Sequence, residues 1–447
     1  MSQVRPAKGT RDFAAADVMR RRHVLSVLQA VFERYGYAPL ETPSFENLET
    51  LMGKYGDEGD RLIFKILRSG DFMKSVADPS QPKASELADK ALRYDLTVPF
   101  ARFVAQNAGQ LAMPFRRYQI QPVWRADNPQ KGRFREFYQC DADVVGSSSL
   151  WHEVELVAIY HRVFAELGLD VVVRLNHRGL LAGIAEVAGL GDRLTDFTVA
   201  LDKLDKIGAD GVRLEWRERG FTEQQSAALE PALEPALEPM TDMAATLSRM
   251  ERWLSSSEQG MAALADLRWL TERVASFGPL ALDVTLARGL NYYTGCIFEV
   301  QARDVAMGSV GGGGRYDNLT GIFGAPGLSG VGISFGLDRI LLCLEELGLL
   351  PELTVGPQVL VFQLGDQEAD YAFRVAEALR AEGIRTVLYP EPAKIKKQFD
   401  YAERIGAQFV VMAGAQEQRA QSIQVKNLGT GIQSELALDG LGSFDWA

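Results

Sequence analysis

The sequence predicts a multidomain protein that mixes α-helices and β-strands, and three observations support this fold class. At 447 residues, the chain is longer than one hydrophobic core usually organises. Strand-like and helical patterns alternate up to residue 177 and again over residues 278–347, whereas the intervening stretch is charged, alanine-rich and helical. Beyond a proline-containing segment, short strands and helices alternate again. We therefore predict a core in two parts (1–177 and 278–347), a helical insertion (178–277), a linker (348–356) and a C-terminal α/β domain (357–447).

Composition narrows the class of protein. Apolar residues make up 47% and charged residues 24%, which is ordinary for a globular chain. The start does not resemble a signal peptide and no segment is long enough to span a bilayer, so we predict a cytoplasmic protein with no membrane partner. The three cysteines and four histidines lack metal-binding spacings, so no protein-held metal is predicted. The net charge of −11 argues against sequence-independent nucleic-acid binding, although local basic patches could still hold RNA.

Two apolar stripes predict helices that pack on a core. The segment 19–35 carries apolar residues at helical spacing and is followed by an extended, proline-containing YAPLETPSF. The segment 151–167 repeats this pattern and leads through Gly168 into the strand-like DVVVRLN. Both stripes are expected to be buried.

The segment 122–146, PVWRADNPQKGRFREFYQCDADVVG, predicts a hairpin with a charged tip. Its outer parts are rich in aromatic and β-branched residues, and its middle, DNPQKG, is typical of a loop. Arg125, Arg133 and Arg135 could converge on phosphate oxygens, because guanidinium groups offer paired donors and stay charged. A solvated charged hairpin is the alternative.

Three further segments are less specific on their own. The ALEP repeat at 228–239 has proline every fourth residue, which predicts short turns or an extended connector, or alternatively a surface loop without a role. The four glycines at 311–314 predict close approach to a ligand or a sharp bend of a sheet. In the C-terminal domain, the basic side chains form either an RNA-facing patch or a solvated helix face, and they are Lys394, Lys396, Lys397 and Arg404.

Several of these segments resemble the signature motifs of class II aminoacyl-tRNA synthetases. They are the extended YGYAPLETPSF (35–45), the arginine hairpin and the strand-to-helix GISFGLDRI (332–340). LARGLNYYTG (286–295) resembles a peptide specific to histidyl-tRNA synthetases, LRYDLTVPFAR (92–102) resembles their amino-acid-binding strand and loop, and KGTRDF (8–13) is similar to their N-terminal motif. The resemblance spans nearly the whole chain.

The resemblance implies a fold and an activity. The fold would be an α+β class II synthetase core, an antiparallel sheet flanked by helices, with a helical insertion and a C-terminal α/β anticodon-binding domain. The activity would be formation of histidyl-adenylate from L-histidine and ATP, with Mg²⁺, and transfer of histidine to the 3′ end of histidine tRNA. A homodimer with Pro43 at its interface is also implied.

Site residues are assigned by the same resemblance. Arg125 and Arg288 would be catalytic, because they neutralise charge at the α-phosphate. Arg339 and Phe137 would hold the adenine between them, and Arg133 would contact the γ-phosphate. Histidine would be bound by Asp95, Thr97, Arg125, Gln139, Asp143, Arg288, Tyr292 and Tyr293, and ATP by Arg125, Asp127, Arg133, Phe137 and Arg339.

One departure and one rival accompany this assignment. Many relatives have aspartate at the position of Asn291, and the neutral amide keeps hydrogen bonding but loses a charge beside Arg288 and Tyr292. The rival is the non-catalytic, synthetase-like regulatory subunit of the ATP phosphoribosyltransferase of histidine biosynthesis. Such subunits typically lack the C-terminal domain and have degraded adenylation motifs. This chain has the C-terminal domain and retains Arg125, Arg288 and Arg339.

Overall fold

The computed structural model describes residues 4–233, 243–287 and 293–446. The chain forms two compact units, one built mainly from Arg20–Pro351 and the other mainly from the residues after Pro351. The described strands are β1 (Ala38–Pro39), β2 (Phe45–Asn47), β3 (Lys65–Leu67), β4 (Ala88–Leu92), β5 (Phe115–Trp124), β6 (Glu136–Val145), β7 (Val171–His177), β8 (Leu280–Leu282), β9 (Cys296–Ala302), β10 (Gly311–Tyr316), β11 (Gly330–Gly336), β12 (Val359–Val361), β13 (Thr386–Leu388), β14 (Phe409–Met412), β15 (Ser422–Asn427) and β16 (Gln433–Ala437).

The helices fall between these strands and cluster after β7. They are α1 (Ala15–Arg34), α2 (Leu48–Leu51), α3 (Gly56–Leu62), α4 (Ala84–Leu87), α5 (Thr97–Asn107), α6 (Trp151–Glu166), α7 (Arg178–Val187), α8 (Leu194–Leu201), α9 (Leu204–Glu218), α10 (Glu223–Leu229), α11 (Met243–Trp253), α12 (Glu258–Val274), α13 (Leu337–Glu346), α14 (Ala369–Ala381), α15 (Ile395–Arg404) and α16 (Ala415–Ala420).

An eight-stranded sheet in the order β1-β5-β6-β11-β10-β9-β7-β8 forms the centre of the first unit. The six inner strands are antiparallel, as predicted for the core. The two edge strands, β1 and β8, pair in parallel with their neighbours, which the sequence analysis did not predict. The sheet is therefore mixed, with an antiparallel centre that includes the arginine hairpin β5–β6.

The two predicted apolar stripes pack on this sheet. In α1, Val24, Leu28, Val31 and Phe32 are buried, and the Phe32 ring lies 5.8 Å from the ring of Phe335 in β11. The stripe of α6 is buried against the same region, with the Tyr160 and Phe335 ring centroids 4.9 Å apart. Burial of these side chains is the main source of the unit's stability.

The described secondary-structure elements of residues 178–277, from α7 to α12, are all helices joined by short turns. Their apolar side chains belong to the same buried cluster as those of the main sheet. The helices α7 and α12 approach closely at Gly183 and Gly260. A Cβ added at Gly183 would lie only 3.0 Å from the backbone nitrogen of Gly260. Of the ALEP repeat, Glu230–Ala232 forms a short 3₁₀ turn, and residues 234–242 lie outside the described residues. The insertion's boundaries stay a prediction.

A small sheet in the order β2-β4-β3 lies beside α5 in the first unit. Its apolar cluster includes Leu51, Ala91 and Phe100, together with Tyr316 from the end of β10. The chain leaves β4 and enters α5 through Arg93–Leu96, so this cluster fixes the position of Asp95. This small sheet was not predicted from the sequence.

The second unit is an α/β domain, as predicted. Its five strands are ordered β13-β12-β14-β15-β16, with β12 parallel to β13 and β14. The last two strands form the predicted hairpin. Apolar clusters cover both faces of the sheet, so the unit has a hydrophobic core of its own. The four basic residues at and within α15 are exposed, and whether they contact RNA stays a prediction.

Candidate active site

Two adjoining cavities open over the centre of the main sheet. The larger has a volume of about 250 Å³ and the smaller about 110 Å³. Four residues line both of them: Arg125, Gln139, Gly312 and Ser334. Two ligand groups bound in these cavities would therefore meet at these four residues.

The arginine hairpin forms one wall of the larger cavity. Its tip closes on itself, since Gln130 and Arg133 exchange backbone hydrogen bonds of 2.9 and 3.1 Å. At its base, the Arg125 N–H donates to the carbonyl of Arg135 at 3.0 Å. Backbone hydrogen bonds therefore close the hairpin at both its tip and its base.

Arg125 lies between the two cavities. Its Nε donates to the Tyr94 carbonyl at 3.0 Å, and its guanidinium carbon lies 4.3 Å from the Tyr94 ring centre and 5.2 Å from that of Phe137. These contacts orient a permanent positive charge so that it faces both spaces. A group in that place can contact two anions at once.

The other residues predicted to bind ATP surround the larger cavity. Asp127, Arg133, Phe137 and Arg339 all line it. Arg133 Nη1 lies 3.7 Å from Asp127 Oδ1, and the Arg133 side chain is 46% exposed, so it remains accessible. Arg339 is in the first turn of α13 and donates to the carbonyls of Gly132 at 2.9 Å and Ser309 at 2.7 Å. The structure thus brings the predicted group together.

The N-terminal motif KGTRDF braces this cavity. The carbonyl of Gly9 accepts a 2.8 Å hydrogen bond from the Arg135 N–H. Arg11 forms a 2.5 Å ion pair with Asp338, and its guanidinium carbon lies 3.3 Å from the Phe134 ring centre. Because Asp338 and Phe134 line the cavity, the motif supports its walls. The resemblance of this motif to the family's N-terminal motif did not predict this role.

The smaller cavity contains most of the residues predicted to bind histidine. Asp95, Thr97, Gln139, Asp143 and Tyr293 line it together with Arg125. Arg288, Asn291 and Tyr292 lie outside the described residues, so the structure does not test their assignments. The lining also includes polar side chains that the sequence analysis missed: Asp141, Tyr316 and Ser334.

Asp143 lies deep in the smaller cavity, held by two neighbours. Its Oδ1 accepts a 2.5 Å hydrogen bond from the Tyr316 hydroxyl, and its Oδ2 lies 3.0 Å from Nη2 of the fully buried Arg117. Burial raises the pKa of Asp143, while Arg117 and the Tyr316 hydrogen bond oppose that shift. Arg117 was not predicted, although it lies directly opposite Asp143 in the β5–β6 pair.

Asp95 also lines the smaller cavity and lies two residues before the start of α5. Its Oδ1 accepts hydrogen bonds from the Tyr55 hydroxyl at 2.9 Å and the Val98 N–H at 3.1 Å. Burial raises the pKa of Asp95, and the backbone hydrogen bond and Arg125 counteract the shift. The carboxylate is therefore fixed in place on one side of the cavity.

Glycines make room for the cavity's side chains. The run 311–314 is part of strand β10 and pairs with both neighbouring strands, so the predicted alternative of a sharp bend is wrong. A Cβ at Gly314 would lie 2.9 Å from the Tyr293 ring, and a Cβ at Gly332 would overlap the Asp143 carboxylate. At Gly312, by contrast, an added Cβ would lie 3.4 Å from the Phe298 carbonyl oxygen, so the site is less crowded. Glycine is thus needed where side chains approach the strands closely.

The described part of the chain has neither a cluster of metal-binding side chains nor a membrane-spanning helix. No group of three or more histidine, cysteine, aspartate or glutamate side chains there could hold a metal ion. No described helix is long and apolar enough to cross a membrane.

Comparisons with known proteins show which family the chain belongs to. A family model described as histidyl-tRNA synthetase matches residues 9–340, and a model described as anticodon binding domain matches residues 358–444. The histidine–tRNA ligases of Flavobacterium johnsoniae and Christiangramia forsetii are each 52% identical to this chain, with 97% of both chains covered. A crystal structure of histidyl-tRNA synthetase from a Nostoc species has a TM-score of 0.79 and 30% identity, with 99% of each chain covered. The chain belongs to the histidyl-tRNA synthetase family.

Proposed function

We propose that this chain is a histidine–tRNA ligase, which activates L-histidine with ATP and transfers it to the 3′ end of histidine tRNA. Family membership supports the reaction. The observation that carries the assignment to this site is the position of Arg125, which faces both cavities. Adenylation requires the histidine carboxylate to attack the α-phosphorus, so a cation between two anions is the main requirement.

The larger cavity is the proposed ATP site. Arg125 would contact the α-phosphate and Arg133 the γ-phosphate, with Asp127 beside them. Arg339 and Phe137 would hold the adenine between a guanidinium plane and an aromatic ring. The support for this arrangement is that all five residues line one cavity. Catalysis would then come from positioning and charge stabilisation, with no protein nucleophile.

The smaller cavity is the proposed histidine site. Asp95, Thr97 and Gln139 would bind the α-ammonium group, while Asp143 and Tyr293 would meet the imidazole, with Tyr292 nearby. A neutral imidazole has one donor and one acceptor, so a selective pocket needs a partner for each. Polar groups left unpaired by another amino acid would penalise its binding strongly. Arg288 would approach the α-phosphate from the side opposite Arg125.

Magnesium, a homodimer and a cytoplasmic location complete the proposal. Asp127 supplies one oxygen donor at the larger cavity and the described residues form no metal cage, so Mg²⁺ would be held mainly by the ATP phosphates. When bound, the ion would neutralise phosphate charge. Pro43 would lie at the interface of the dimer.

An exchange assay tests the proposed function. The purified protein is expected to catalyse exchange between ATP and labelled pyrophosphate with histidine and with no other standard amino acid. Histidine tRNA should then become charged in the same preparation. Absence of histidine-dependent exchange would contradict the ligase assignment and would favour the regulatory-subunit alternative instead.

Truncation before Glu352 should separate the two halves of the reaction. Because each unit has its own hydrophobic clusters, we expect residues 1–351 to keep histidine-dependent exchange within about threefold of the full chain. We expect charging of histidine tRNA to fall by at least about tenfold, measured as kcat/KM for tRNA. In the full chain, the substitution K396A should lower charging by less than the truncation does. Unchanged charging in the truncated protein would assign the second unit another purpose.

A further inference from the structure

We infer that Asp338, held by Arg11 and Arg21, is a positioning residue of the proposed ATP site, and that it acts on the nucleotide through Arg339. The inference deepens the proposed function and rests on it. Asp338 and Arg339 are neighbours in the first turn of α13, and both line the larger cavity. Successive side chains of a helix point about 100° apart, so one can fix the turn while the next meets a ligand.

Two guanidinium groups bind the same oxygen of Asp338. Its Oδ1 lies 2.7 Å from Arg21 Nη1 and 2.5 Å from Arg11 Nη2. The other oxygen, Oδ2, accepts a 3.4 Å hydrogen bond from the Tyr138 N–H. The side chains of Asp338 and Arg21 are only 6% and 11% exposed, so water screens this attraction weakly. The first turn of α13 is thus tied to the N-terminal segment, to α1 and to β6.

Aromatic rings pack against both guanidinium groups. The guanidinium carbon of Arg11 lies 3.3 Å from the ring centre of Phe134 and 4.9 Å from that of Phe13. The guanidinium carbon of Arg21 lies 4.2 Å from the Phe13 ring centre and 5.1 Å from that of Tyr138. Arginine and aromatic side chains therefore alternate from Phe134 to Tyr138, which both line the larger cavity. Such cation–π contacts favour one orientation of each guanidinium group.

A turn brings Arg11 to this cluster. The backbone N–H and the hydroxyl of Thr10 both donate to the Ala7 carbonyl, at 3.0 and 2.8 Å. Gly9 has a φ of +86°, and a Cβ there would lie 2.7 Å from Arg135 Cγ, so glycine lets the turn lie against the hairpin. Arg11 is not one of the described residues that line the larger cavity. Any effect of Arg11 on ATP must therefore pass through the residues that it contacts.

Arg339 connects this cluster to the proposed adenine position. Its guanidinium donates to the carbonyls of Gly132 and Ser309, which fixes its plane as long as the first turn of α13 stays in place. The proposed adenine lies between that plane and the Phe137 ring. A shift of Asp338 would move Arg339 relative to Phe137, and none of these three residues lines the smaller cavity. The cluster should therefore affect ATP and not histidine.

The substitution Arg11→Ala tests the inference. Arg21 still pairs with Asp338 in this variant, so no buried carboxylate is left unpaired and the protein is expected to fold. We expect kcat/KM for ATP in ATP–pyrophosphate exchange to fall about tenfold through a higher KM, because misplacing a bound group weakens its contacts. The KM for histidine should stay within about threefold of the wild type. Arg20→Ala is the matched control, since it removes an exposed ion pair with Glu345 in the last turn of α13 and should change neither KM.

A double-mutant cycle with Arg339→Ala separates positioning from a structural role. If Arg11 acts through Arg339, adding Arg11→Ala to Arg339→Ala should lower kcat/KM for ATP by less than a further factor of about three. A residue that only stabilises the fold would lower exchange by the same factor in both backgrounds. It would also affect the two substrates alike.

Each outcome decides the question. The role of Asp338 is overturned if Arg11→Ala keeps kcat/KM for ATP within about threefold of the wild type, or if both substrates lose equally. A further loss of about threefold or more in the Arg339→Ala background overturns it as well. If the wild type itself shows no histidine-dependent exchange, the proposed function fails, which is a distinct result. Should Arg11→Ala fail to fold, Arg11→Gln gives the decision by the same measurements, because it removes the charge and keeps most of the side chain.

Discussion

Replacing Arg125 with alanine is expected to lower histidine-dependent ATP–pyrophosphate exchange by about a thousandfold, which corresponds to about 4 kcal/mol of activation free energy. The guanidinium faces both cavities and is oriented by the Tyr94 carbonyl and two aromatic rings. Without it, the histidine carboxylate and the α-phosphate would meet without a shared cation. The loss should appear in kcat/KM for both substrates, because the side chain borders both sites.

Arg125→Lys distinguishes charge from geometry. Lysine keeps the positive charge but lacks the paired, planar donors that can reach two anions together, so it should recover less than a tenth of the lost activity. Arg303→Ala is the control for arginine removal, since that side chain is 53% exposed and pairs with Asp170 away from either cavity. Exchange by Arg125→Ala within tenfold of the wild type would refute the bridging role.

Much of the candidate site could be predicted because many of its residues lie close together in the sequence. Arg125, Asp127, Arg133 and Phe137 lie within 13 residues of one another in the hairpin, and the structure brings them to one cavity with Arg339. A local hairpin needs no long-range information to place its side chains. The same is true of the apolar stripes of α1 and α6, whose period alone predicts their buried faces.

Other features depend on partners that are distant in sequence. Strand order in the main sheet brings β11 between β6 and β10, which nothing local to those strands specifies. The parallel edges and the three-stranded sheet beside α5 have the same origin. Their prediction would require knowing which strands pair. The hydrophobic pattern of a single strand does not identify its partner strand.

Asp141, which lines the smaller cavity, is predictable from the local sequence. It follows Gln139 and precedes Asp143 at a spacing of two on a predicted strand, so the period alone puts it on the same face as two assigned residues. The family motif includes only its two neighbours, whereas all three residues line the smaller cavity. Arg117 could be placed in the same way only once the register of β5 against β6 was known.

Substituting alanine for Gly332 is expected to impair histidine binding by about a hundredfold or more. Gly332 lies opposite Asp143 across the β6–β11 pair, and an added Cβ would overlap the Asp143 Oδ1 and Cγ atoms and lie 3.1 Å from Oδ2. The carboxylate would have to rotate away, which breaks the Tyr316 hydrogen bond and the approach to Arg117. A buried guanidinium left without its partner costs about 3 to 5 kcal/mol of folding stability.

The measurements are the KM for histidine in the exchange assay and the free energy of unfolding in urea. We expect both to change for Gly332→Ala, with the KM for ATP less affected, because the overlap lies in the smaller cavity. Gly109→Ala is the matched control, since a Cβ there meets no atom within 4 Å and its φ is not positive. If Gly332→Ala bound histidine normally, the Asp143 carboxylate would have to be free to move without loss, and its placement as a fixed acceptor for imidazole would be wrong.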